Sequence, residues 1–156
     1  IDGFICASGT GGTIAGVSNA LKEKNKNIKV YLSDPKGSSL YSYIKTKEFK
    51  SEGNSITEGI GSSRATKNFE KALIDGAYSI DDTMALTILF DLIEKEGLSL
   101  GTSSGINVAG AIKLAQELGP NKTIVTILCD KSDRYQGKLF NKKFLMEKNL
   151  PYPRWL

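Results

Sequence analysis

Apolar, β-branched runs alternate with helix-like segments along nearly the whole chain, and that alternation leaves few folds open. Strand-like runs fall at residues 1–7, 27–34, 77–80, 98–100 and 122–130. Between and after them lie segments with helical spacing at 13–24, 39–46, 81–97, 106–118 and 138–148, and a sixth predicted to start near Thr66. The clearest helix is 81–97, with acidic residues first, Ala85, Ile88, Leu89, Leu92 and Ile93 on one stripe, and Gly97 as its stop. Strands that alternate with helices predict an α/β fold, a parallel sheet flanked by helices. The run KTIVTILCD (122–130) is near-continuously apolar and predicts a strand buried on both faces. In such sheets, ligands sit beyond the carboxyl ends of the strands. Two unusual loops, 8–13 and 101–105, fall at that edge.

The chain has 156 residues, the size of one domain, so 1–156 is read as a single α/β unit. Its opening, IDGFICAS, has no initiator Met and no basic leader and starts inside a strand-like run, which reads as a piece of a longer protein. No apolar run approaches the ~20 residues that span a bilayer, and a cytoplasmic protein without a membrane partner is expected. The net charge of +4 comes mostly from lysines, which cluster at 22, 24, 26 and 29 and again at 45, 47 and 50. These are interleaved with Glu and Asn and lack stacking aromatics, so they read as a solvated surface and not a nucleic-acid patch. Cys6 and Cys129 each end an apolar run and are expected to be buried strand thiols. The chain has no His. Ser-His-Asp and Cys-His catalysis within it is therefore excluded, and proton transfer falls to Lys, carboxylate, Tyr or a cofactor.

The first special loop is SGTGGT (8–13), set between a strand and a helix. Its glycines allow a sharp turn and close backbone approach to a ligand. The helix it opens offers unpaired N–H groups and about half a positive charge. Thr10 and Thr13 add hydroxyls, and no Lys or Arg joins them. A phosphate held by neutral donors fits this loop; a plain tight turn also fits. The lysine-armed P-loop does not match, nor does the G-x-G-x-x-G dinucleotide turn. The second loop, LSLGTSSGINVAGAI, places two serines before a helix. They either cap that helix or present a hydroxyl to a ligand over the sheet edge. Asp81 and Asp82 read as helix-capping residues.

Five stretches, GTGGTIAG, DPKGS, EGIG, GTSSGINVAGAI and VTILCDKSDRYQGKLFN, stand in the order seen in cysteine synthases. The chain resembles that family of fold-type II pyridoxal-phosphate (PLP) enzymes, the tryptophan-synthase-β superfamily, from its first residue to its last. The resemblance implies the C-terminal large-domain part of such an enzyme. It implies that Gly9, Thr10, Gly11, Gly12 and Thr13 hold the PLP phosphate and that Ser103 meets the pyridine nitrogen. It places Gly59, in EGIG, near the substrate, in a segment that shifts between open and closed forms. Cys129 and Asp130 stand at the pocket edge where relatives often carry Pro-Ser, and Thr102 stands where they carry Gly or Ile. The family's Schiff-base lysine and its Thr-Ser-Gly-Asn substrate loop have no counterpart here. The chain is thus expected to be inactive alone and to need an N-terminal half of the same enzyme. The intact homodimer would replace the acetate of O-acetylserine, a small amino-acid substrate, with sulfide. Alternatives are a cystathionine β-synthase or serine/threonine dehydratase sibling and, in another class, a non-catalytic phosphate- or partner-binding module.

Overall fold

The computed structural model describes residues 1–156. Four strands, β1 (Gly3–Cys6), β2 (Lys29–Pro35), β3 (Gly76–Ile80) and β4 (Ile124–Val125), form one sheet in the order β3-β2-β1-β4. Every neighbouring pair is parallel, with Phe4 level with Val30 and Val125, and Leu32 level with Cys6 and Ala77. The helices are α1 (Gly12–Lys24), α2 (Leu40–Thr46), α3 (Asp82–Glu96), α4 (Thr102–Leu118), α5 (Gln136–Leu139) and α6 (Lys142–Glu147).

Side chains alternate across a strand, and the two faces of this sheet take different partners. Phe4, Cys6, Val30, Leu32 and Ala77 share one face and bury against Ile14 of α1, Leu40 of α2 and Phe69. Ile5 and Ser33 point to the other face, under α4. There Gly110 lies so close to the sheet that a Cβ would meet Ser33 Oγ at 2.4 Å. Ser33 itself is buried, and its hydroxyl donates to Ile106 O at 2.6 Å. Behind α4 lies α3, whose outer side joins Tyr135, Leu139 and Leu145 in a further core with Leu86, Leu89 and Phe90. The ends of α3 follow its sequence: the Asp81 side chain accepts the Met84 N–H at 2.8 Å, and Gly97 ends it at φ +68°.

Six expectations change. No helix forms at Thr66; its hydroxyl accepts the Phe69 N–H at 3.2 Å, ahead of a single 3₁₀ turn at Phe69–Lys71. Residues 98–100 make no strand, only an isolated bridge from Leu100 to Lys131. Helix α4 starts four residues earlier than predicted, because Gly101 caps it in place of the serines. The 138–148 helix is broken at Phe140–Asn141, where the Asn141 side chain accepts the Phe144 N–H and restarts it as α6. The 122–130 run pairs for only two residues, beside β1 at the edge of the sheet. Leu128 is 47% exposed and Cys129 is exposed, so only Cys6 is the buried thiol expected.

Candidate cofactor site

The chain leaves β1 toward α1 and β2 on one face, while β4 reaches the other side of β1 from a helix on the opposite face. That reversal opens a crevice at the carboxyl ends of β1 and β4. The glycine loop, the first turn of α4 and residues 126–130 converge there.

The loop cradles a small cavity of about 50 Å³ between Ala7 and Ile14. Its backbone leaves α1 without a side-chain cap. Gly11 is the N-cap, left-handed at φ +83°, with the Phe69 backbone where a Cβ would stand. No acidic residue lies in the first turn of α1. The first-turn N–H groups are thus offered outward, with the positive end of the helix dipole behind them. Thr10, Gly12 and Thr13 are exposed at the mouth, and Gly9 is half-buried.

Three contacts fix the loop. A Cβ at Gly9 would lie 2.5 Å from the Gly59 carbonyl oxygen. Two residues on, the Gly61 N–H donates to Ser8 O at 2.8 Å. Thr66 Oγ1 donates to Thr10 O at 2.6 Å. The Gly59 segment therefore rests directly on the glycine loop, bringing together two stretches 50 residues apart. Gly59 and Gly61 are both left-handed, at φ +76° and +80°.

Ser103 sits across the crevice on the first turn of α4, 5% exposed. Its neighbour Ser104 is committed, accepting the Cys129 N–H at 2.9 Å. Neither serine caps the helix. Asn107, one turn after Ser103 and on the same face, ties the crevice together. Its Oδ1 accepts the Ala7 N–H at 2.6 Å, and its Nδ2 donates to Ile127 O at 2.8 Å. One buried amide thus joins the glycine loop, α4 and the β4 extension. The sequence reading missed Asn107; the i,i+4 spacing from Ser103 was the available signal.

The donors fit a phosphate-bearing cofactor. Ser8 Oγ and Thr102 Oγ1 are buried at this edge without a partner, and Asp130 Oδ1 is likewise unpaired. Asp130 accepts the Tyr135 hydroxyl at 2.7 Å, a bond that raises the Tyr135 pKa. Burial pushes the Cys6 thiol up to about 12, so it is no nucleophile.

Residues 1–130 match the family model described as pyridoxal-phosphate dependent enzyme. The chain belongs to the pyridoxal-phosphate dependent enzyme family. Within it, the chain is 43% identical over 159 residues to the cysteine synthase of Dictyostelium discoideum, covering 96% of this chain and 42% of that protein. It is 44% identical over 155 residues to cysteine synthase 1 of Neurospora crassa, covering 96% of this chain and 41% of that protein. The crystal structure of the O-acetylserine dependent cystathionine β-synthase from Helicobacter pylori superposes with a TM-score of 0.79 at 34% identity, over 88% of this chain and 43% of that one. The chain thus spans less than half the length of the relatives it matches. The parallel sheet is that of a fold-type II PLP enzyme.

Proposed function

We propose that residues 1–156 act as one α/β unit, the cofactor-phosphate side of a PLP-dependent cysteine synthase. The observation that carries this reading is the uncapped, acid-free first turn of α1, held open beneath a glycine loop at the switch point of the sheet. The likeness to cysteine synthases supports it. Gly9, Thr10, Gly11, Gly12 and Thr13 would hold the phosphate, with backbone N–H groups and the Thr10 and Thr13 hydroxyls as donors. Ser103 would face the pyridine nitrogen as a neutral hydroxyl. Gly59 would stand beside the substrate. When bound, PLP supplies an electron sink for an amino-acid substrate. The reaction would be replacement of acetate on O-acetylserine by sulfide.

The lysine that carries the cofactor would lie in an N-terminal half outside this sequence, and the chain alone would be inactive. The open edge of β4 and the exposed Leu128 support addition of further strands there. No helix is long and apolar enough to cross a membrane; a cytoplasmic homodimer is the fuller reading. The likeness to a cystathionine β-synthase structure supports a second reading, the same site with another sulfur donor.

The test is to express the complete reading frame with PLP and add O-acetylserine and sulfide. Cofactor absorbance and cysteine formation are expected. A protein that takes up no cofactor overturns the proposal, and product formed only with another sulfur donor favours the second reading.

A further inference from the structure

Ile56 is held more tightly than its place in a polar loop requires. Its side chain packs against the core shared by α3, α5 and α6. Its N–H donates to Asp82 Oδ2 at 2.8 Å, and its carbonyl accepts from Lys138 Nζ at 3.1 Å. Asp82 is buried and also takes the Ser55 hydroxyl at 2.5 Å. It is turned away from helix capping, which Asp81 performs alone. Lys138 of α5 pairs in addition with Glu58, whose carboxyl it holds below the usual range. Three residues after Ile56, the Gly59 carbonyl meets Gly9, and the Gly61 N–H then meets Ser8. A Cβ at Gly59 would find nothing within 4 Å, so the side of that glycine away from the loop is open.

We infer that Asp82 and Lys138 are positioning residues for the cofactor site. They grip both polar groups of one residue and so set where residues 58–61 press on the glycine loop. The C-terminal helices thereby reach the cradle without touching it. This rests on the reading of residues 9–13 as the phosphate cradle.

The test uses the complete enzyme carrying Lys138→Met, which keeps the aliphatic stem, and Lys138→Arg, which keeps the charge. Hydrogen exchange in the cofactor-free protein is the first readout. In Lys138→Met the amides of residues 56–61 should exchange about tenfold faster, the scale of one lost charge-assisted hydrogen bond, while those of β1 and α3 are unchanged. Lys138→Arg should restore most of the protection. The PLP dissociation constant should rise several-fold in Lys138→Met with little change in melting temperature. Asp82→Asn, which retains an acceptor for the Ile56 N–H, should give a smaller effect of the same kind. Unchanged exchange at 56–61, or acceleration spread evenly over the chain, overturns the inference. A wild-type protein that shows the exchange pattern but takes up no PLP overturns the functional reading alone.

Discussion

Replacing Asp34 by Asn removes a titration that should bend the chain's stability across weakly acid pH. Asp34 is the penultimate residue of β2 and is 0% exposed. Its Oδ2 accepts the Tyr41 N–H at 2.7 Å, and its Oδ1 has no partner. Burial pushes its carboxyl from the ordinary 3.8 up to about 6, against the pull of the Tyr41 N–H. In the window between those values the folded chain holds a proton that the unfolded chain has released. Stability then falls as pH rises. The contribution is fully present below the unfolded value and is lost as pH passes about 6. About two pKa units at about 1.4 kcal/mol each give a loss of about 3 kcal/mol. Asn offers the same acceptor to Tyr41 and carries no charge to bury. Urea midpoints of wild type and Asp34→Asn, taken in small steps from about pH 4 to about pH 8, read the difference directly. Carboxyls held low, at Asp2, Glu58 and Glu117, have the opposite sign, occur in both proteins and cancel. The variant should gain on wild type as pH rises, by up to about 3 kcal/mol. A constant difference across the window refutes the reasoning.

Other substitutions test the crevice and the core. Gly9→Ala places a methyl 2.5 Å from Gly59 O, and should cost about 1–3 kcal/mol and loosen the amides of 59–61; thermal unfolding with hydrogen exchange reads both. Asn107→Leu strands the Ala7 N–H and the Ile127 carbonyl, each left-over group costing about 1–3 kcal/mol, in a denaturant titration. Leu139→Ala empties a fully buried site and should cost about 2–5 kcal/mol by the same assay. Lys50→Ala breaks only an exposed pair with Glu48, and its midpoint should match wild type within about 0.5 kcal/mol.

Local chemistry decided what was legible in the sequence. Helix α3 could be read nearly to the residue, because Asp81, the apolar stripe and Gly97 each act within a turn or two of their own position. The glycine loop could be placed between β1 and α1 for the same reason: strand, glycines and helix are contiguous. Helix α4 was read short because GTSSG looks like a loop in isolation. It is helical because Ser104 bonds to Cys129 and Asn107 bonds to Ala7, partners 25 and 100 residues away. The 122–130 run is the instructive failure. Its apolar character describes a strand buried on both faces, and here Ile124 to Ile127 are half-buried and Leu128 is exposed. A hydrophobic pattern records how much surface a segment can bury, not which element covers it. The Gly59 segment shows the same limit at the site. EGIG marks a glycine-rich turn, but its hold on Gly9 depends on Asp82 and Lys138, which no spacing near Gly59 announces.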